Sequence, residues 1–156
     1  GEFLKTNGSG VLSWAAAGGG GGGYFGSTTL LKIMPSEFII NDDVLLPVTV
    51  EDDVTNELGI KSPGIRSELY AFIAIPTGYK ATHVQVYASV TTANAVDALR
   101  YNHTDGATTS RGTGGFNSVI DIGDIESAIA KNIVIKIIPA SSTTVIYGGD
   151  ITIAAI

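Results

Sequence analysis

The 156 residues predict an all-β protein, an antiparallel β-sandwich of jelly-roll or Greek-key type preceded by a hairpin and a glycine-rich segment. Three observations carry this. Short apolar runs alternate with polar residues at a two-residue period, and turn signals built from Gly, Pro, Asn and Asp recur at roughly 8 to 12 residue intervals. Helical periodicity is almost absent. A barrel satisfies the same pattern and stands second.

The first fourteen residues, GEFLKTNGSGVLSW, read as two strands, 3–6 and 11–14, around Asn7-Gly8, a strong hairpin signal. An isolated hairpin is marginal in water, so Phe3, Leu12 and Trp14 need a surface to pack on. A second copy of the chain is the simplest one, which makes these three residues candidates for an oligomer interface. Residues 15–26 hold three alanines, six consecutive glycines and Tyr24-Phe25-Gly26. They read as a linker or as a place where backbones crowd, and without a following Gly-Lys-Ser/Thr they are no phosphate loop. Residues 1–26 are therefore taken as hairpin and connector, and residues 27–156 as the sandwich.

Between residues 30 and 50 the apolar pieces LLKIM, FII and VLLPVTV are broken by Pro35, Asn41-Asp42-Asp43 and Pro47, which confines them to edge or irregular strands. Residues 51–68 are polar, contain Gly59, Pro63 and Gly64, and read as a long surface loop.

The stretch 69–90, LYAFIAIPTGYKATHVQVYASV, is the clearest β signal. Val84, Val86, Ala88 and Val90 alternate with His83, Gln85, Tyr87 and Ser89, as in a half-buried strand. Residues 70–75 are apolar on both sides of the repeat, which suits an enclosed central strand. The PTGY turn between the two runs predicts that residues 69–75 pair antiparallel with residues 82–90.

Farther on, Asp105-Gly106 predicts a projecting hairpin between 98–102 and 107–110. Residues 116–122 read as a strand, and Asp124 as the cap of one or two helical turns reaching Lys131. The end is β again, through the alternating isoleucines Ile133, Ile135 and Ile137 and the run 145–156, with a bulge or corner at Gly148-Gly149. The expected core includes Phe72, Ile73, Ile75, Val84, Val86, Ile133, Ile135, Ile137, Ile151 and Ile153.

Composition narrows the function. Fifteen acidic against nine basic residues give a net charge of −6, which argues against nucleic acid or an anionic membrane as partner. No apolar run approaches the ~20 residues of a membrane-spanning helix, so no membrane insertion is expected. With no cysteine there is no disulfide and no thiolate site. Met34 is the only methionine, and the chain reads as part of a longer protein.

Candidate chemistry is sparse. His83 and His103, the two histidines, have no metal-ligand spacing. His83 lies on the polar side of its strand. His103 stands near the Asp105-Gly106 turn beside Tyr101, with Arg111 following, and these three groups on a projecting loop can stack on and hydrogen-bond a sugar or peptide. A solvated loop is the plain alternative. Asp42, Asp43, Glu51, Asp52, Asp53 and Glu57 could share a calcium ion, but their spacing is not that of an EF-hand and solvated acidic loops account for them. No metal and no cofactor is expected. Nor is an enzyme: there is no Gly-x-Ser-x-Gly elbow, no His-Glu-x-x-His and no cysteine nucleophile.

The segment GEFLKTNGSGVLSWAAAGG resembles one that recurs, as G-x-x-L-x-T-x-G-S-G-x-L-x-W, in tail-fibre and other virion structural proteins of bacteriophages, notably marine ones. More loosely, LLKIMPSEFI, IPTGYKATHVQVYAS and IYGGDITIAAI resemble the C-terminal domains of phage structural proteins, while the long glycine run departs from that pattern. The resemblance implies a non-enzymatic domain of a tail fibre or similar appendage, located in the virion, homo-oligomeric and commonly trimeric, and able to contact a host-surface glycan or protein. The reading from a different class is a carbohydrate-binding module of a larger enzyme or adhesin.

Overall fold

Alternating burial, not continuous apolarity, decides which face of each strand turns inward, and it builds two antiparallel sheets packed face to face. A computed structural model describes residues 2–6, 9, 12–16, 29–41, 48–52, 58–62, 67–128 and 130–156. Their strands are β1 (Glu2–Thr6), β2 (Leu12–Ala16), β3 (Leu30–Ile33), β4 (Ile39–Ile40), β5 (Thr49–Asp52), β6 (Leu58–Lys61) and β7 (Leu69–Ile73). There follow β8 (Tyr79–Ala88), β9 (Val96–Asn102), β10 (Thr108–Gly114), β11 (Ile120–Glu126), β12 (Lys131–Ile137) and β13 (Val145–Ala155). One sheet has the order β10-β9-β12-β7-β4, and the other β11-β8-β13-β6-β5, with β3 also on β13. Numbering β6 to β13 as one to eight, the sheets run 2-7-4-5 and 1-8-3-6. That is the jelly-roll order, in which successive strands mostly change sheet.

The core lies between the sheets. Nine of the ten expected core residues are buried, among them Val86, Ile133, Ile135, Ile137 and Ile151 at 0% exposure. Phe72 is the exception. It is 52% exposed, because β7 alternates: Leu69, Ala71 and Ile73 point inward, while Tyr70 and Phe72 take the outer positions. An unbroken apolar run was the wrong sign of an enclosed strand here.

The PTGY turn forms, with the Tyr79 amide donating to the Pro76 carbonyl at 3.1 Å and Gly78 at φ +84°. It does not pair its flanking strands. β7 pairs with β12 and β4, whereas β8 pairs with β11 and β13, so the turn carries the chain from one sheet to the other. Two strands that bury one face against a shared core satisfy the same alternation as a hairpin, and here Ala74, Ile75 and Pro76 cross the roughly 10 Å between sheets.

Two other expectations change. The helix expected from Asp124 is strand: β11 runs through Glu126, Ile125 is buried against the core, and a tight turn closes from the Lys131 amide to the Ala128 carbonyl at 3.0 Å. Too few residues separate β11 from β12 for a helix, and the Asp124 carboxylate pairs with Lys80 instead of capping. The expected loop at 51–68 includes the β5–β6 pair, where Gly59 allows close passage: a Cβ there would sit 2.6 Å from the Ile146 carbonyl oxygen. The Asp105-Gly106 hairpin forms as β9–β10. The Gly148 bulge forms too, with a register shift between Ile146 and Gly148.

The amino-terminal hairpin makes its own two-stranded sheet, β1 with β2. Its register sets Leu4 opposite Trp14 and Thr6 opposite Leu12, while Phe3 is opposite Ala15. The glycine run and the acidic residues Asp42, Asp43, Asp53 and Glu57 lie outside the described residues.

Candidate functional site

The outer face of the five-stranded sheet carries an aromatic cluster that the topology assembles from strands distant in sequence. β12 lies between β7 and β9. On its outer side Val134 has Phe72 as its neighbour on β7 and Leu99 on β9. The Phe72 and Tyr101 rings meet across β12 with centroids 5.5 Å apart and planes at 78°, and Tyr70 and Phe72 stack loosely at 6.5 Å and 25°. Edge-to-face pairs of this kind add about 0.5–1.5 kcal/mol beyond area burial. Val134 is only 2% exposed although it faces away from the core, because the converging rings roof it.

Polar groups border the cluster. At one end the side-chain nitrogen of Asn132 lies 3.0 Å from Nδ1 of His103, within hydrogen-bond distance. At the other end Thr113, Asp97, Lys136 and Tyr70 form a row across four strands. Ser110 donates to Oδ1 of Asp97 at 2.6 Å, and Glu68 receives both Lys136 at 2.7 Å and the Tyr70 hydroxyl at 2.6 Å. The Lys136 ammonium, followed by the Tyr70 hydroxyl, holds the Glu68 carboxyl below its usual range. Burial, and then the bond to Glu68, push the Tyr70 phenol up to about 12. The Asp97 carboxylate adds its charge to that effect.

Two of the three sequence candidates are here. Tyr101 contributes a ring and His103 lies at the border, whereas Arg111 is elsewhere. It falls in the β10 bulge, where the register shifts between Ser110 and Gly112, and its guanidinium donates to the backbone carbonyls of Gly123 at 3.0 Å and Asp124 at 3.1 Å. A Cβ on Gly123 would sit 2.9 Å from that guanidinium. Arg111 is a clip between β10 and β11. Phe72, Tyr70, Asp97 and Lys136 were missed, although aromatic residues two apart in TYR-Ala-PHE order share one face of a strand.

Two other surfaces offer less. On the outer face of the six-stranded sheet the Tyr87 hydroxyl donates to Asp150 at 2.8 Å and Lys32 pairs with the same carboxylate at 2.9 Å, so this ring and these charges engage each other. His83 lies half-buried on that sheet, with Nδ1 2.9 Å from the Thr82 hydroxyl. A cleft of about 450 Å³ opens beside β7, lined by Leu31, Ile73, Ile75 and Pro76 with Phe72 at its lip, and its two charged residues are already bonded, Lys32 to Asp150 and Glu37 to the Met34 amide. Among the described residues no three acidic, histidine or cysteine side chains are grouped to hold a metal ion.

The fold and this face together define a jelly-roll β-sandwich with a partly exposed aromatic platform. No family model matches the chain, and no curated protein does. Among solved structures it is similar, at 12% identity and a TM-score of 0.47, to the Clostridium thermocellum N-terminal endo-1,4-β-D-xylanase 10B, whose CBM22-1 and GH10 modules were crystallised with xylohexaose. The match covers 83% of this chain and 29% of that one.

Proposed function

We propose that this chain is a non-catalytic binding domain whose ligand is a carbohydrate, held on the outer face of the five-stranded sheet. The Phe72–Tyr101 pair carries the reading. A sugar ring presents C–H groups on its faces and hydroxyls at its rim, so it stacks on an exposed aromatic ring while polar side chains around that ring take the hydroxyls. Phe72, Tyr70 and Tyr101 supply the rings, and Asp97, Lys136, Asn132 and His103 the border. The test is native electrophoresis through gels containing neutral polysaccharides. Retardation by at least one of them, lost in Phe72→Ala and Tyr101→Ala with no sugar released, is expected. Equal mobility of wild type and variants in every gel would remove the reading.

A second observation favours a structural setting for this binding. The hairpin β1–β2 is a sheet of its own, and a two-stranded sheet is marginal unless covered. With the resemblance of its sequence to phage fibre segments, this supports a domain of a virion appendage, trimeric through its amino-terminal hairpin, that contacts host-surface glycan. Upstream fibre repeats in the full-length gene would support this setting, and an upstream hydrolase domain would replace it with a module of an enzyme.

A further inference from the structure

We infer that the ligand is an uncharged oligosaccharide chain, and that a pocket at Asp97 and Lys136 selects it by taking one of its sugar units through adjacent hydroxyls. This rests on the carbohydrate reading and narrows it. The pocket, about 210 Å³, opens at the Asp97 end of the aromatic face and is lined by Ala95, Val96, Asp97, Thr113, Lys136 and Ile138, with Asn94 at its rim. It is smaller than the roughly 300–1,000 Å³ that encloses a drug-sized ligand, so it takes a single ring or ring edge. Its walls combine apolar surface from Ala95, Val96 and Ile138 with one anionic acceptor, one cationic donor and one hydroxyl.

The free valences define what fits. Asp97 uses Oδ1 for the Ser110 hydroxyl, and among the described residues Oδ2 has no partner. Lys136 gives one of its three N–H donors to Glu68, which leaves two. The two residues are cross-strand neighbours on one face of the sheet. Two adjacent hydroxyls of one sugar match this pair, one donating to the carboxylate and the other accepting from the ammonium, with both bonds charge-assisted. The charge balance turns acidic sugars away: Asp97 and Glu68 outnumber Lys136 here, and the whole chain carries −6.

The spacing requires a chain. Asp97 and Tyr101 are four residues apart along β9, roughly 13–14 Å at the rise of an antiparallel strand. A ligand that stacks on Tyr101 and reaches the pocket is longer than one sugar ring.

The test is calorimetric titration with soluble neutral glycans (β-glucan, xylan, mannan and galactan oligosaccharides from two to six units), with alginate and pectate oligosaccharides as acidic probes, and with O-methylated forms of the neutral ones. The inference expects binding to at least one neutral series, strengthening up to three or more units, and none to the acidic probes. O-methylation should weaken it roughly tenfold or more, since the stacking faces remain while hydrogen-bond donors to a charged acceptor are lost. Asp97→Asn and Lys136→Met should each weaken it by a similar factor, and the ligand-side result stands even if either variant folds poorly. Neutral binding that is lost in Phe72→Ala but indifferent to O-methylation and to both pocket variants would overturn the pocket while leaving the aromatic platform. Acidic probes binding as tightly as neutral ones would also overturn it. No binding by any probe would count against the platform itself.

Discussion

Phe72 and Tyr101 stand on strands that never pair, yet their ring centroids lie 5.5 Å apart over the strand between them. Val134 on that strand is shielded to 2% exposure on a face that otherwise looks outward. The rings are therefore both a surface and a lid. Their two roles are separable by measurement.

Phe72→Ala and Tyr101→Ala should each lower stability modestly, by about 1 kcal/mol, because the rings are partly exposed and an aromatic pair adds about 0.5–1.5 kcal/mol. The double variant should cost less than the sum, since losing either ring already breaks the pair. Urea denaturation of the four proteins checks this. By contrast Ile135→Ala, at 0% exposure in the true core, should cost about 2–5 kcal/mol.

Arg111→Met should destabilise the protein without affecting any glycan bound. The guanidinium satisfies the Gly123 and Asp124 carbonyls, and hydrogen bonds from a charged group contribute roughly 1.5–3 kcal/mol each when well shielded, less at this exposed position. Thermal melting, read beside the binding titration, separates the clip from a ligand contact. A variant that melts normally but binds weakly would return Arg111 to the site.

Tyr70 should be slow to ionise. Its phenol is raised to about 12, chiefly by burial and next by the Glu68 bond, so ultraviolet titration should show at least one tyrosine ionising well above the usual 10, and Glu68→Gln should bring the Tyr70 step down. The linked stability has two edges. A raised phenol contributes stability fully present below pH 10, lost as the pH climbs through about 12. A depressed Glu68 carboxyl contributes stability present above its ordinary 4.5 and lost as the pH falls through its lower folded value. Glu68→Gln should flatten both edges.

Gly148→Ala should be among the costlier single-atom changes. Gly148 has φ +114°, and a Cβ there would lie 2.4 Å from the Ile33 carbonyl oxygen, where β3 meets β13. Backbone strain of about 1–3 kcal/mol adds to that collision. A melting temperature within a degree of wild type would show that β3 moves aside freely.

Removing residues 1–23 should weaken self-association and leave the sandwich folded, because among the described residues β1 and β2 pair with each other and with no strand of the sandwich. Sedimentation and far-ultraviolet dichroism of the truncated chain test both halves. An intact chain that sediments as a monomer at tens of micromolar would end the trimer proposal.

The sandwich was legible because its information is local and repetitive. Val84, Val86 and Ala88 alternate with polar residues, and Gly78, Gly106 and Gly148 sit where positive φ is needed. Strand partners were not legible at the PTGY turn, since Ile75 and Val84 enter one core from opposite sheets and a turn signal is the same whether its strands pair or part. The site was half legible. Tyr101 and His103 announced themselves beside a hairpin turn, but Phe72 was hidden in an apolar run, where the small Ala71 between Tyr70 and Phe72 was the only hint of an outward aromatic face. Asp97 and Lys136 are single polar residues on separate strands, and only the β9–β12 register brings them together. Arg111 was misplaced because a bulge changes where a side chain points, and nothing in Ser110-Arg111-Gly112 announces the bulge before the pairing is known.

The most direct test of the aromatic platform is a nuclear magnetic resonance titration of the labelled protein with neutral oligosaccharides. Backbone and ring shifts should move at Phe72, Tyr101, Val134, Asp97 and Lys136, on the outer face of β7, β12 and β9. Shifts confined to Gln85, Tyr87 and Asp150 on the opposite sheet, or no shifts with any glycan, would contradict it.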